Sequence, residues 1–110
     1  MTLFAGLAWL NAFVFTQIVE IPIWQYALGG RFWVAFGASA ITHPFVWFAF
    51  PHLHGLTYWQ QVALSETFAV VVEALYMSLF RLPSALRWSL VANGASLGLG
   101  LVSRYWFGFP

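Results

Sequence analysis

The sequence predicts an all-α membrane protein, a bundle of four transmembrane helices joined by short loops within one domain, residues 1–110. Two observations carry this prediction. Hydrophobic residues make up 62% of the chain and charged residues 6%, whereas a soluble domain has about 25% charged residues. A spanning helix takes roughly 20 residues, so a chain of 110 residues holds four of them with short connections. This composition excludes a disordered tail, a nucleic-acid binder and an ordinary soluble enzyme.

Turn-forming residues divide the apolar sequence into four stretches. Gly29-Gly30-Arg31 forms a tight turn after the first stretch, and Arg81-Leu82-Pro83-Ser84 forms a turn after the third. Between these turns, residues 51–57 make the longest polar connection. The predicted spans are residues 3–28, 32–50, 58–80 and 85–106.

The arginines predict the orientation of the bundle. Four spans place the first and third loops on one side, and Arg31, Arg81 and Arg87 lie in or beside those loops. Arg104 alone lies on the opposite side. Because cytoplasmic loops carry the excess of basic residues, we expect the first and third loops to be cytoplasmic. We expect the chain to be an integral protein of a prokaryotic inner membrane. Both termini and the 51–57 connection would face outward.

All three acidic residues fall inside predicted spans, where a bare charge costs about 2.5–3.5 kcal/mol on insertion scales. Glu66 and Glu73 are nearly two helical turns apart and so project from one face. A rise of about 1.5 Å per residue places His43 level with Glu66, and Glu20 and Asn93 level with Glu73. The sequence therefore predicts an ion- or proton-binding column at the bundle axis. The plainer interpretation is a set of neutral groups hydrogen-bonded between helices.

A metal or cofactor is the second possibility that the polar residues leave open. Four of them have ligand types that suit zinc, manganese or iron, namely His43, Glu66, Glu73 and Glu20. No span carries Glu-x-x-His or His-Glu-x-x-His spacing, which would mark a di-iron bundle or a zinc protease. His43 alone could bind haem or chlorophyll axially. His52 and His54 are a weak candidate for a surface metal site, and an ordinary exposed turn is the simpler interpretation of this pair.

Three functions follow from these features. Stacked glutamate, histidine and asparagine groups are typical of proteins that conduct or couple protons or cations. Since 110 residues are few for a complete transporter, this function implies a homo-oligomer or a partner in the lipid bilayer. The alternative is an accessory or cofactor-binding subunit of a larger membrane complex. An enzyme is less favoured, because the chain has no Gly-x-Ser-x-Gly or other nucleophile motif.

Two glycines in the fourth span have the spacing of a helix-packing motif. Gly94 and Gly98 form Gly-x-x-x-Gly, which lets helix backbones approach closely in a membrane. We expect this surface to contact a helix, either within the bundle or in another subunit.

Overall fold

The structure, a computed structural model, describes residues 3–49 and 52–108. These residues form four helices and no strand, which confirms the prediction of an all-helical chain. Phe50, the predicted end of the second span, lies outside the described residues. The helices are α1 (Leu3–Leu28), α2 (Phe32–Pro44), α3 (Tyr58–Leu79) and α4 (Ala85–Phe107), and a π-helical segment (Phe45–Ala49) continues α2.

The helices are arranged as a ring in which each packs against its neighbours. Helix α1 contacts α2 and α4, and α3 contacts the same two helices, so α1 and α3 stand diagonally across the bundle. The start of α3 and the end of α2 lie at one end, here named the middle-loop end. The α1–α2 and α3–α4 turns lie at the other, here named the turn end.

An apolar cluster fills the turn end of the bundle. Trp24 and Met77 are fully buried there, and small alanines let the helix backbones approach them. The Arg31 guanidinium donates a hydrogen bond from Nη2 to the Phe80 carbonyl at 3.2 Å, which ties the two turns together. We name this cluster the turn-end plug; its residues are Trp24, Leu28, Ala35, Ala38, Met77, Leu82, Ala85 and Ala92.

Local sequence explains the helix boundaries at the middle-loop end. The Gln60 backbone N–H donates to Thr57 Oγ1 at 3.2 Å, and the Thr57 N–H donates to Gln60 Oε1 at 2.9 Å. This reciprocal pair is a capping box, and it satisfies two otherwise unpaired donors at the start of α3. Helix α2 changes to π-helical geometry after Pro44, because proline lacks the N–H that continues the α-helical pattern.

The described bundle buries many polar residues beside its apolar cluster and exposes many large apolar side chains. Two helical segments, Phe32–Ala49 and Tyr58–Leu79, are long and apolar enough to cross a membrane. Large apolar side chains cover the outside of the bundle, with Ile18 and Leu75 more than half exposed. The buried polar residues include Gln17, Glu20, Ser39, Thr42, His43, Ser65, Glu73, Ser89 and Asn93.

Candidate functional site

A cavity of about 250 Å³ lies between the four helices, on the middle-loop side of the turn-end plug. Its wall rises from the level of Ala69 and Asn93 to Trp47, Tyr58 and Arg104 at the mouth. A second cavity of about 240 Å³ shares that mouth. Among the described residues, the turn-end plug lies beyond the floor of the cavity, and the lining reaches exposed Tyr58 and Arg104 at the middle-loop end. It is lined by all five residues predicted to form the column: Glu20, His43, Glu66, Glu73 and Asn93.

Glu73 of α3 lies at the floor of the cavity and is held by both neighbouring helices. Thr42 Oγ1 of α2 donates to Glu73 Oε2 at 2.9 Å. Asn93 Nδ2 of α4 donates to Glu73 Oε1 at 3.3 Å and to the Ser89 carbonyl at 2.9 Å. The side chain is 1% exposed, so these bonds fix where its carboxyl group points.

Glu20 of α1 reaches the same floor from across the bundle. Ser96 Oγ donates to Glu20 Oε2 at 2.5 Å, and Glu20 is 1% exposed. The carboxyl groups of Glu20 and Glu73 lie within hydrogen-bonding reach of each other. An ionised carboxylate only accepts hydrogen bonds. A bond between the two groups therefore requires a proton on one of them.

Glu66 lies nearer the mouth and is partly buried. Its carboxyl group is close enough to interact electrostatically with both Glu20 and Glu73. The basic side chains that line the cavity are His43 and Arg104, and no ion pair joins either one to a glutamate in the described part of the chain. The three carboxyl groups thus share a cavity in which no cationic side chain of the described residues pairs with them.

His43 lines the cavity together with Glu66, and aromatic rings surround its imidazole. Its ring lies among aromatic rings, with centroids 6.0 Å from Trp9, 5.3 Å from Phe13 and 6.2 Å from Trp47. Successive residues of an α-helix point about 100° apart. Thr42 consequently faces Glu73, and His43 is turned towards α1. His43 and Glu66 share the cavity lining, but no hydrogen bond joins them within residues 3–49 and 52–108.

The four candidate metal ligands share the lining of one cavity. No group of three His, Asp or Glu side chains within the described ranges is arranged to hold a metal ion. The physical reason is that His43 is turned towards α1 and Glu66 lies nearer the mouth, so only Glu20 and Glu73 meet at the floor. A haem or chlorophyll bound to His43 would have to displace the surrounding aromatic rings. His52 and His54 are both exposed on the α2–α3 connection.

The Gly-x-x-x-Gly surface faces outward from the chain. A Cβ atom placed on Gly94 or Gly98 would meet no atom of the described residues within 4 Å, and both glycines are exposed. Within the described residues this surface does not pack against another helix of the bundle, because α4 turns Ser89 and Asn93 inward and its glycines outward. Packing against another subunit stays a prediction.

Three hydroxyl residues complete the site and were not predicted as members of it. Thr42 and Ser96 hydrogen-bond the two floor glutamates, and Ser39 is buried on the cavity wall. Their spacing was the available signal. Ser39 and Thr42 are three residues apart on α2, and Ser96 is three residues from Asn93 on α4, so each pair shares a helix face.

Comparison of the chain with protein-family models, with curated proteins and with solved structures gives no match. The geometry of the cavity therefore carries the functional conclusion by itself.

Proposed function

We propose that the chain is an integral membrane protein whose Glu20 and Glu73 together bind a proton taken up from the middle-loop end. Binding and release of this proton would couple to transport or to a helix movement, in an oligomer or with a partner. The observation that carries the proposal is the buried contact between two carboxyl groups at the floor of an open cavity.

The surface of the bundle supports a membrane location. An exterior of large apolar side chains around an interior of glutamate, asparagine and hydroxyl groups suits lipid outside and polar contacts inside. Helix α3 has 22 residues, which at about 1.5 Å per residue extends roughly 33 Å. That length matches a hydrocarbon core about 30 Å thick.

The arginines support one orientation in a prokaryotic inner membrane. Arg31 and Arg81 both lie at the turn end, which the excess of basic residues places on the cytoplasmic side. The cavity mouth, the 51–57 connection and both termini would then face outward. In this orientation the floor glutamates receive protons from outside the cell.

The chemistry of the floor supports a transferable proton. Two carboxylates in contact repel each other unless a proton or another cation lies between them. The contact between Glu20 and Glu73 is therefore stable when one proton or another monovalent cation is bound between the two carboxyl groups. Thr42, Asn93 and Ser96 each donate a hydrogen bond to the pair, which stabilises its remaining negative charge.

The turn-end plug favours coupling over an open pore. Fully buried Trp24 and Met77 close the bundle beyond the floor, so a proton on the pair has one route out while the helices stay in place. Exit to the other side requires the plug to open. This arrangement suits a carrier or a switch whose shape depends on the charge of the pair.

A second candidate function is a subunit of a larger membrane complex. The outward surface of Gly94 and Gly98 favours it, because open space beside two helical glycines is where a foreign helix approaches most closely. In that setting the carboxyl pair would respond to a partner rather than to a cargo.

Proton flux across proteoliposomes tests the proposal. The purified chain is reconstituted with a pH-sensitive dye inside, and a potassium diffusion potential drives proton entry. We expect flux with the wild type, background flux with Glu73→Gln, and wild-type flux with Thr67→Ala, since Thr67 is exposed on α3. Normal flux in Glu73→Gln would contradict the proposal.

A further inference from the structure

We propose that the cavity binds a small organic ammonium ion, with its charged nitrogen at the floor and its apolar body towards the mouth. This inference rests on the proposed function, because the ammonium ion would exchange for the proton held by Glu20 and Glu73. The two ligands would then compete for one site, and the chain would exchange a proton for an organic cation.

The size of the cavity exceeds what a proton site requires. A volume of about 250 Å³ is far above the ~10–15 Å³ that a single water needs by the same measure. A proton relay needs a file of waters, whereas this space is broad enough to contact all four helices. It accommodates an organic molecule with a short apolar body.

The floor and the wall carry buried hydrogen-bonding atoms that no group of the described residues satisfies. Glu20 Oε1, Ser39 Oγ and His43 Nε2 are buried and receive no hydrogen bond from a donor group in the described chain. All three residues line the cavity and are at least nine-tenths buried. Unpaired buried polar atoms are costly, and an ammonium group supplies three donors together with the positive charge that the glutamates lack.

Aromatic side chains line the upper part of the same cavity. Phe15 of α1, Trp47 of the π-helical segment and Tyr58 of α3 contribute to its wall. Aromatic faces attract cations and pack against apolar bodies. An ammonium ion with an attached ring or short alkyl chain therefore finds carboxyl groups at one end and aromatic groups at the other.

A bare metal ion fits the cavity less well. No three His, Asp or Glu side chains in the described residues are grouped as metal ligands. Arg104 lies at the mouth, about 12 Å along α4 from Ser96, so its positive charge opposes the entry of a cation more strongly than its binding at the floor. We expect Arg104→Gln to speed the entry of the organic cation.

Binding of 2-phenylethylammonium to the purified protein, measured by titration calorimetry, tests the inference. The matched control ligand is 2-phenylethanol, which keeps the ring and replaces the ammonium group by a neutral hydroxyl. We expect the amine to bind with release of a proton and the alcohol to bind at least ~10-fold more weakly. Equal binding of the two, or no binding of the amine, would overturn the inference.

Variants locate the charge within the cavity. Glu20→Gln and Ser39→Ala should each weaken amine binding, the first by at least ~10-fold, whereas Thr67→Ala should leave it unchanged. If Glu20→Gln does not fold, Ser39→Ala and the comparison of the amine with the alcohol still test whether the cavity binds an ammonium ion. Proton flux without amine binding would refute the organic cargo and leave the proposed function standing. Absence of both would refute the two together.

Discussion

The carboxyl groups of Glu20 and Glu73 meet across the axis of the bundle, although their helices stand diagonally and pack mainly against other neighbours. Each long side chain therefore crosses the interior, and each is held by hydrogen bonds from neighbouring helices. Ser96 of α4 holds Glu20, and Thr42 of α2 holds Glu73. All four helices thus contribute to one contact, so a change in its charge acts on the packing of the whole bundle.

Thr42 should contribute to stability through its bond to Glu73. Thr42→Val keeps the shape of the side chain and removes the donor to Oε2. Losing the partner of a buried carboxyl group costs about 1–3 kcal/mol, so we expect the free energy of unfolding to fall by that amount in detergent. The control is Thr67→Val on the exposed face of α3, which should change it by less than ~0.5 kcal/mol. Equal effects of the two substitutions would show that the Thr42 bond contributes nothing.

A larger residue at position 37 should destabilise the bundle while Tyr76 is present. A Cβ atom on Gly37 would overlap the Tyr76 hydroxyl, which donates to the Val34 carbonyl at 3.0 Å. We expect Gly37→Ala to lower the melting temperature, at a cost of about 1–3 kcal/mol. Gly100→Ala is the control, because its Cβ would meet only an ordinary contact with Phe15 at 3.7 Å.

Combining Gly37→Ala with Tyr76→Phe tests whether the Tyr76 hydroxyl causes the loss of stability. Tyr76→Phe removes the hydroxyl, so Gly37→Ala combined with Tyr76→Phe should cost less than the sum of the two single changes. Strict additivity would mean that the α2–α3 contact does not limit the residue at position 37.

Gly94 and Gly98 should matter for assembly and not for the fold of one chain. Both face open space, so leucine at both positions fits the isolated bundle, while it would keep a second helix from approaching. We expect Gly94→Leu/Gly98→Leu to shift the protein to a smaller oligomer in analytical ultracentrifugation with its helical content unchanged. An oligomer of the same size would show that this face meets only lipid.

The positions of the helices were predictable from the sequence, but their rotations were not. The apolar runs and the turns at Gly29-Gly30 and Pro83 predict α1 and α3 to within a residue. Counting along the helices also places Glu20 level with Glu73. Rotation is harder to predict, because a helix that is apolar nearly all round shows its inner face only through its polar residues.

Helix α2 shows this limit most clearly. Ser39, Thr42 and His43 spread over a broad arc of the helix, and any of them could have faced the glutamates. The structure turns Thr42 to Glu73 and packs His43 against Phe13 and Trp9. Packing between aromatic rings of neighbouring helices sets the rotation of α2 about its axis. A single sequence does not show which of its aromatic rings are in contact.

Chemical labelling should place the middle-loop end and the turn end on opposite sides of the membrane. The chain has no cysteine, so His54→Cys and Pro83→Cys each introduce a single reactive thiol at an exposed position. A membrane-impermeant maleimide added to cells should label the first and spare the second. Labelling of both from one side would break the four-span arrangement, and labelling of Pro83→Cys alone would reverse its orientation.

Substituting each floor glutamate in turn tests most directly whether Glu20 and Glu73 act as one proton site. Glutamine at either position keeps the volume of the side chain and donates a hydrogen bond to the remaining carboxylate, so Glu20→Gln and Glu73→Gln should both fold. In each variant, however, the resulting Gln–Glu pair cannot share a proton. We predict that the initial rate of potential-driven proton entry into proteoliposomes falls to the protein-free background in both variants. Glu66→Gln, nearer the mouth, should weaken the flux or shift its pH dependence. Wild-type flux in either floor variant would contradict the claim that Glu20 and Glu73 act as one proton site.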